Sequence, residues 1–496
     1  MTRSHQVIIA AWLAAVAGCG SSQPTESSPT PASPAAIRIE PGPEREDTAL
    51  AEPARQLVVL VVDSSGSPVS GTIEFVSPTF DPGGEVPSMW LRLAGDAQPR
   101  DRATVRASAR GEAGVFLKFG PRAGGAWVRV TLPGVTSDSV EFTIRPGAPA
   151  RIALDPPDTA VYVGNTVHPR VDILDQNGNQ AGGSPSFRSE DETVATVTAD
   201  GVLTGRAFGS TTVEATLGSV TGWMGVAAVP RGVLAAHEYP TDFLVRFELD
   251  GSGYRRLTNA SPGIAWVGIA WSSDGGSIVL SRGSPGSNQL VLVDQSTGAV
   301  TPLTPTPGTT LVNALWPSTT RDGQWIYFTG EPVAPPTSFQ LWRVRPDGSG
   351  LANVPVPTRL GQVWYPSVSP DGSLVAYTNQ YRLSGELAVY ELATQVQRSW
   401  SVIGGGATWS PAGTEIAYVD PASGAIRISS ADGSTDRALS QPGRVYAYRP
   451  ISWSPDGEWI AAQSADGLDL IRVSTGLVVP LPYSRNLLIP SWRPVP

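Results

Sequence analysis

The sequence has very little thiol, imidazole and ammonium chemistry. Among 496 residues there are one cysteine, Cys19, three histidines and one lysine, Lys118. A single cysteine excludes an internal disulfide and a zinc site built from several cysteines. The chain has no Gly-x-Ser-x-Gly, His-Glu-x-x-His or Ser-x-x-Lys motif. Common nucleophilic and zinc-dependent hydrolase sites are therefore missing, and we expect no catalytic residue, no cofactor and no metal ion.

Charge and composition indicate the fold class and exclude one class of partner. The net charge is -9 and the isoelectric point is about 5.0, which leaves no basic field for a nucleic-acid backbone. Glycine and proline number 53 and 46, which favours short strands and tight turns over long helices. A chain of this length is too long to fold around a single hydrophobic core. We expect an all-β protein of several domains that does not bind nucleic acid.

Residues 1–18 have the layout of an export signal, with Arg3 ahead of an apolar run from Val7 to Ala17. The segment that ends Val16-Ala17-Gly18-Cys19 resembles a bacterial lipobox, which implies that Cys19 is acylated and anchors the chain to a membrane. An ordinary signal peptide with an accidental cysteine is the alternative. Since Gly20, and not an aspartate, follows the cysteine, the resemblance implies that the protein is sorted to the outer membrane, on its periplasmic or exposed face.

Residues 19–53 are rich in Ser, Pro, Thr and Glu, which predicts a disordered tether. From residue 54 to 147 short β-branched runs alternate with turn signals, as in VVDSSGSPVSGTIEF, RGEAGVFLKF, AGGAWVRVTL and DSVEFTIRPG. This order resembles the invasin-type bacterial Ig-like module, with a longer loop from Phe80 to Arg102. The resemblance implies a β-sandwich.

Residues 148–230 begin a second unit of the same kind. The segment SEDETVATVTADGVLTGRAFGSTTVEATLG resembles the second bacterial Ig-like family (Big-2). The positions that carry the resemblance are Val194, Ala195, Val197, Gly201, Leu203, Gly205, Gly209 and Val213. It implies another β-sandwich, and the two sandwiches are expected to act as a stalk.

The rest of the chain, residues 231–496, contains an internal repeat. The units are AWSSDGGSIVLSR, STTRDGQWIYFTG, SVSPDGSLVAYTN, TWSPAGTEIAYVD and SWSPDGEWIAAQS. Their glycines, Gly275, Gly323, Gly372, Gly413 and Gly457, lie 48, 49, 41 and 44 residues apart, which is the size of a four-stranded propeller blade. The Trp-Ser-Pro-Asp-Gly pattern resembles the propeller repeat of TolB and its relatives (PD40).

Two incomplete units complement each other. SWRPVP at the C-terminus starts a blade, and the segment from Arg231 through FELDGSGYRRLT ends one. Together they predict a six-bladed β-propeller with one blade split between its two ends, although the departures from the repeat leave the blade count open by about one.

Repeated aspartates and tryptophans could be read as functional, but turn and packing chemistry explain them. Asp274, Asp322, Asp371 and Asp456 precede glycine, as hairpin turns require. The series Trp271, Trp409, Trp453 and Trp492 is expected to pack between blades.

The segment that starts at Asp175 begins like a calcium loop. Gln180 and Ser186 stand where such a loop needs glycine and a bidentate glutamate. We therefore interpret it as an Asn-Gly turn.

The loops before the first strand of each blade are the predicted binding surface. They carry aromatic, arginine and amide side chains, the first two of which dominate binding hot spots. Packing within the loop is the alternative for any one of them. The candidates are Trp266, Trp316, Trp364, Tyr365, Tyr446, Tyr448, Arg449, Arg485 and Asn486.

Two functions fit these features. The first is a non-catalytic, monomeric lipoprotein of the cell envelope, held to the membrane only by its anchor, whose propeller binds a protein or a glycan. The alternative is a propeller lyase or glycoside hydrolase that acts on polysaccharide, since carboxylate pairs can assemble from separate blades. Ionisable groups clustered with room for a sugar favour the enzyme, whereas a channel ringed by aromatic and amide groups favours binding.

The anchor hypothesis leads to a first prediction. Cys19→Ser is expected to release the protein from membranes with an unchanged melting temperature, because the anchor precedes every predicted core. Fractionation of cells in high salt measures this. A Cys19→Ser protein that still sediments with membranes would refute the lipoprotein hypothesis.

Overall fold

The computed structural model describes most of the chain from residue 32 onward as strands and connecting loops. The described ranges are 32–40, 45–51, 56–79, 81, 85–95, 98, 100–258, 268–284, 286–335, 338–357, 362–379, 385–440 and 443–495, without the side chains of 399–403. In these ranges there are 42 strands and no helix, as the all-β prediction requires. The chain divides into two compact units, 1–147 with 177–179, and 148–176 with 180–496.

The first unit is a β-sandwich. Its strands are β1 (Ala36–Ile39), β2 (Glu46–Thr48), β3 (Leu57–Val62), β4 (Thr72–Val76), β5 (Met89–Arg92), β6 (Arg102–Arg106), β7 (Glu112–Phe119), β8 (Gly124–Leu132) and β9 (Thr136–Arg145). One sheet has the order β1-β3-β7-β5 and the other β2-β9-β8-β4-β6. Buried residues alternate along β7 and β9, so each sheet turns one apolar face to a common core that includes Phe75, Phe119 and Phe142.

The boundary of the predicted tether is wrong. β1 pairs antiparallel with β3, and β2 pairs parallel with β9, so residues 36–39 and 46–48 belong to the sandwich. Ile37 and Ile39 pack against the core. The composition of 19–53 as a whole is polar, but four residues with alternating apolar side chains are enough to add an edge strand to an existing sheet.

The second unit begins with another sandwich. Its strands are β10 (Arg151–Asp155), β11 (Asp158–Tyr162), β12 (Thr166–Val167), β13 (Arg170–Leu174), β14 (Ser186–Ser189), β15 (Ala195–Val197), β16 (Leu203–Gly205), β17 (Gly209–Leu217) and β18 (Val220–Val229). They form sheets of order β10-β13, β11-β18-β17-β14 and β12-β16-β15. Val194, Ala195, Leu203 and Val213, which carried the sequence resemblance, are buried.

The propeller follows, with six blades around a central channel. The start of the split blade, blade 6, is β19 (Val233–Glu238), β20 (Phe243–Glu248) and β21 (Arg255–Arg256). Blade 1 is β22 (Ile269–Trp271), β23 (Ser277–Ser284), β24 (Ser287–Asp294) and β25 (Val300–Pro302). Blade 2 is β26 (Leu311–Thr319), β27 (Ile326–Pro332), β28 (Gln340–Val344) and β29 (Ala352–Val354).

The remaining blades repeat this plan. Blade 3 is β30 (Trp364–Val368), β31 (Leu374–Asn379), β32 (Glu386–Glu391) and β33 (Gln397–Ile403). Blade 4 is β34 (Gly405–Trp409), β35 (Glu415–Val419), β36 (Ile426–Ser430) and β37 (Asp436–Ala438). Blade 5 is β38 (Ser452–Trp453), β39 (Trp459–Ser464), β40 (Gly467–Arg472) and β41 (Val478–Pro480), and β42 (Leu487–Trp492) is the innermost strand of blade 6.

The two ends of the propeller share blade 6. β42 pairs antiparallel with β19, with Leu234 opposite Trp492 and Glu238 opposite Leu487. The last strand of the chain therefore completes the blade that begins at Val233, and the ring has no open end at this point.

The second sandwich packs directly on the propeller. Tyr162 and Val229 share a core cluster with Phe247 and Trp492 of blade 6 and with Trp459 of blade 5. This sandwich therefore packs over the cleft between the last two blades in addition to forming its own core.

Phe208 and Tyr162 make the specific contacts of this packing. The Phe208 ring meets the Trp459 ring edge to face, with 5.0 Å between their centroids. The Tyr162 hydroxyl donates a hydrogen bond to Glu248 Oε2 at 3.1 Å. The sandwich is thus held to the propeller by both apolar and polar contacts.

The repeated aspartates hold the first hairpin turn of their blades, as the turn hypothesis requires. The carboxylates of Asp274 and Asp322 each accept the N–H two residues later at 2.9 Å. They also accept the hydroxyls of Ser272 and Thr320 at 2.5 and 2.6 Å. These hydroxyl bonds, followed by the backbone bonds, hold the pKa of both carboxyls below its usual range. Blade 4 has Ala412 at this position.

Deleting residues 490–496 is expected to open the ring. β42 would lose half its length, Trp492 would leave the cleft between blades, and β19 would become an edge. We expect a loss of more than about 3 kcal/mol in unfolding free energy, the cost of emptying a large aromatic site. Denaturant melts followed by tryptophan fluorescence measure it. Removal of 494–496 alone, which leaves β42 whole, is the control, and equal stability of both truncated chains would contradict the closure.

Ala412→Asp is expected to stabilise blade 4 by about 0.5–1.5 kcal/mol, because the new carboxylate can accept hydrogen bonds like its counterparts in blades 1, 2, 3 and 5. A carboxyl with a lowered pKa adds stability above its unfolded pKa of about 4, and the gain is lost as the pH falls through the lower folded pKa. Thermal melts at neutral and acid pH measure this. Ala412→Asn is the control without a titration, and a gain from Asp that persists in strong acid would refute the mechanism.

Candidate binding site

The innermost strands of all six blades line a cavity along the propeller axis. Its volume is about 450 Å³, which lies in the range of small-ligand sites. Each innermost strand contributes lining residues along its length and in the turn that follows it. These strands are β22, β26, β30, β34, β38 and β42. The cavity therefore runs from the mouth, where these strands begin, to the exit, where the Asp-Gly turns lie.

A hydroxyl group lies at the same place on five of the six innermost strands. The residues are Ser318, Ser367, Thr408, Ser452 and Ser491, with Ala270 in blade 1. Three of these hydroxyl oxygens accept a backbone N–H from the next blade: Ser318 from Val368 at 3.0 Å, Ser367 from Trp409 at 3.3 Å and Ser452 from Trp492 at 2.9 Å. The hydroxyls that line the channel thus also join the blades.

The repeated tryptophans lie between blades, as predicted. Trp271, Trp409, Trp453 and Trp492 are at most 7% exposed. The Nε1 atoms of Trp271, Trp409 and Trp453 donate to backbone carbonyls of the preceding blade at 3.0, 3.0 and 3.2 Å. These residues therefore pack and join blades.

A β-bulge recurs at the mouth of the channel. Trp316, Tyr365 and Ile489 have φ angles of 49°, 51° and 52°, and Gly406 has 66° at the same place in blade 4. The register of the first two strands shifts at each of these four positions. Such backbone costs about 1–2 kcal/mol for a residue with a side chain, so three such side chains are held in strained positions at the mouth.

Predicted aromatic residues from the loops and first strands of blades 2, 3 and 5 come together at this mouth. The centroid of the Trp316 ring lies 4.4 Å from that of Trp364 and 4.5 Å from that of Tyr365. The ring centroids of Phe339 and Trp364 are 4.7 Å apart. Tyr448, from the loop before β38, meets Tyr365 at 6.3 Å. We call Trp316, Phe339, Trp364, Tyr365 and Tyr448 the aromatic cluster. Burial raises the pKa of Tyr365 and that of Tyr448, the latter to about 12.

Arg449 follows Tyr448 of the aromatic cluster and precedes Pro450, which lines the channel. Its side chain is exposed, and its charge acts both on the Tyr365 hydroxyl of blade 3 and on His237 of blade 6, across the ring. Burial lowers the pKa of the His237 imidazole, Asp242 at 3.0 Å from Nε2 opposes this, and Arg449 adds to the lowering. A guanidinium therefore stands beside the aromatic cluster and is open to a ligand.

The other sequence candidates do not join the aromatic cluster. Tyr446 is 3% exposed and packs with Ile451 and Trp453 between blades 4 and 5, so its expected place in an open rim loop is wrong. Arg485 and Asn486 are exposed in the turn before β42, where the Asn486 carbonyl accepts the Tyr239 N–H at 2.8 Å. Trp266 and Cys19 lie outside the described residues.

Two features of the channel escaped the sequence reading. Each strained residue is followed by proline and serine, at Pro317, Pro366 and Pro490, a signal visible in the repeat. The second feature is Arg321, which lines the exit where blades 3, 4 and 5 have the turn prolines Pro370, Pro411 and Pro455.

The described residues contain no group of three or more His, Cys, Asp or Glu side chains that could hold a metal ion. Nor does any helix in the described ranges have the length and apolarity to cross a membrane. Within the described wall of the channel, Arg321 is the one side chain with a permanent charge, and the rest are aromatic, hydroxyl, proline and aliphatic residues.

Comparisons with known proteins bear on the two parts of the second unit. Residues 150–224 match the family model of the bacterial Ig-like domain (group 2), which confirms the predicted family of the second sandwich. No curated protein sequence matches the chain. The fold is similar to TolB from Acinetobacter baumannii at 17% identity, covering 61% of this chain and 82% of that one with a TM-score of 0.44.

Two further solved structures are similar at lower scores. A putative TolB from Agrobacterium tumefaciens shares 15% identity over 54% of this chain and 100% of its own, with a TM-score of 0.40. An oligogalacturonate lyase in complex with manganese shares 15% identity over 51% and 72%, with a TM-score of 0.32. The family match identifies the second sandwich as a bacterial Ig-like domain, and the six blades themselves establish the propeller that follows it.

Proposed function

We propose that this chain is a non-catalytic binding protein of the bacterial cell envelope and that the mouth of its propeller channel binds a protein partner. The observation that carries the proposal is the strained backbone of Trp316 and Tyr365 at the mouth. Strain of this kind persists only where the surrounding structure holds it, and it concentrates at functional sites. The bulge itself does not need an aromatic side chain, because Gly406 forms it in blade 4 without one.

The chemistry of the mouth supports a protein partner. Large aromatic side chains with few rotatable bonds and an adjacent arginine are the residues that dominate protein interfaces. Arg449 is exposed beside the aromatic cluster, whose rings already hold one another at 4.4 to 6.3 Å. Such a surface loses little side-chain entropy when a partner binds.

The wall of the channel supports recognition over polysaccharide cleavage. Glycoside hydrolysis generally needs two carboxyl groups placed about 5–10 Å apart across the scissile bond. The described residues that line this channel contribute tryptophan, serine, threonine and proline, with Arg321 at the exit. These groups can bind and orient a ligand, and they include no carboxyl to donate a proton to a leaving group.

The anchor and the sandwiches complete the proposal. Acylation of Cys19 would hold the chain to the outer membrane, with the first sandwich closest to the anchor in sequence and the propeller farthest from it. The second sandwich would carry the propeller as one body with it, because the two share a core cluster. We propose a monomer, in which the channel mouth is the surface available to a partner.

A photo-cross-linking amino acid at position 449 is expected to trap a specific envelope protein in intact cells. The matched control has the same amino acid in place of Arg255, which is exposed on the outer strand of blade 6. Gel shifts and identification of the adduct by mass spectrometry measure the result.

The aromatic cluster provides a second arm of this experiment. Trp364→Ala in the chain labelled at 449 is expected to reduce the adduct about tenfold, as the loss of a hot-spot aromatic does. Melting temperature must be checked in the same protein, since Trp364 also packs on Phe339. Equal adducts at positions 449 and 255 would refute binding at the mouth.

A further inference from the structure

Arg321 breaks the repeat at a position where turn chemistry favours proline. The equivalent residues in blades 3, 4 and 5 are Pro370, Pro411 and Pro455, each at the second position of the turn. Proline presets the backbone angle that this position needs. A residue that departs from a local preference without a compensating structural gain marks a functional position. None of the ion pairs among the described residues includes Arg321, so no pairing within this part of the chain accounts for it.

The channel has the opposite electrostatic character to the chain as a whole. The chain carries a net charge of -9, yet no aspartate or glutamate is among the described residues of the channel wall. Arg321 lines the exit and Arg449 lies beside the mouth, so each end of the channel offers one guanidinium. The exit turns also hold Asp274, Asp322, Asp371 and Asp456, whose carboxylates accept hydrogen bonds within their own turns. A carboxylate inside the channel therefore meets a guanidinium and no acidic side chain along the described wall.

The hydrogen-bonding groups of the wall favour the same kind of ligand. The carbonyls of Ser367, Thr408 and Ser491 already accept the indole N–H groups of the neighbouring blades. The hydroxyl oxygens of Ser318 and Ser452 accept backbone N–H groups, which leaves their own hydrogens able to donate. The wall thus keeps hydroxyl donors that a ligand rich in acceptors can use.

We propose that the channel binds an extended acidic peptide segment and that Arg321 binds one of its carboxylates. This inference rests on the proposed function, since it specifies the chemistry of the partner that the mouth receives. From Trp316 to Thr320 the wall is about 13 Å long at the usual rise of a strand, so a few residues of extended chain can run from the mouth to Arg321. Bidentate contact with a carboxylate is the interaction for which a guanidinium is best suited.

The probe is a short labelled peptide of alternating glutamate and glycine with blocked ends, and the comparison is the same peptide with glutamine. Fluorescence anisotropy with the full chain in detergent measures binding. The glutamate peptide is expected to bind, more weakly as salt rises, and the glutamine peptide to bind at least about tenfold more weakly. Arg321→Gln should remove this difference, and Arg321→Lys should keep most of it.

Two variants separate binding from folding. Arg321→Pro restores the repeat residue, so it should keep the melting temperature while losing the preference for glutamate. Arg255→Gln removes an exposed charge from the outer strand of blade 6 and should change neither. An unchanged preference for glutamate in Arg321→Gln would overturn the role of Arg321.

The remaining outcomes distinguish other ligands and the proposed function itself. Equal binding of the glutamate and glutamine peptides would overturn charge selection, as would failure of both to bind. Stronger binding of a galacturonate oligomer, or of inorganic phosphate, with the same dependence on Arg321 would replace the peptide with an acidic glycan or a free anion. If the glutamate peptide fails while the adduct at position 449 persists, this inference is wrong and binding at the mouth stands.

Discussion

The pairing of β42 with β19 is the contact on which the rest of the second unit depends. Each innermost strand is joined to the next blade through hydroxyl, indole and carbonyl groups, and this chain of contacts returns to its start only because Trp271 of blade 1 reaches the carbonyl of Ser491 at 3.0 Å. Without β42, that carbonyl and the cleft filled by Trp492 would be lost together. The channel is therefore a product of ring closure, and its width and lining follow from the number of blades.

Strand pairing within each blade explains how strained residues can persist at the mouth. The bulges at Trp316, Tyr365 and Ile489 each precede a proline, and proline disfavours helical backbone in the residue before it. Local preference thus opposes the conformation. The neighbouring strands fix it, because the register on either side of the bulge is set by pairs such as Leu315 with Thr329 and Ser318 with Tyr327. Blade 5 shows the limit of the pattern, since Pro450 stands at the bulge position and its ring holds φ negative.

The sequence predicts the parts of this structure that local chemistry repeats. Blade spacing, the Asp-Gly turns and the tryptophans between blades follow from residues a few positions apart, and the structure contains all three. The prediction that Tyr446 lies in an open loop is wrong because the sequence does not reveal which way the side chain of a loop residue points. It bridges Ser464 and turns into the core, whereas Tyr448, two residues later, joins the aromatic cluster. The edge strand at Ala36–Ile39 was hidden for another reason, since its partner β3 lies about twenty residues away and pairing, not composition, orders it.

The position of the second sandwich follows from the same constraint. A propeller closed by strands from both of its own ends is joined within that blade only by strand pairing and packing, whereas every other blade is continuous in sequence. The sandwich packs over the cleft between blades 5 and 6, with Phe208 on Trp459 and with Tyr162 bonded to Glu248 beside the closing strand. Opening blade 6 would therefore also expose apolar surface of the sandwich. The free energy of exposing this surface opposes the opening of blade 6. The sandwich therefore helps to keep the channel, and the strained residues at its mouth, in a single arrangement.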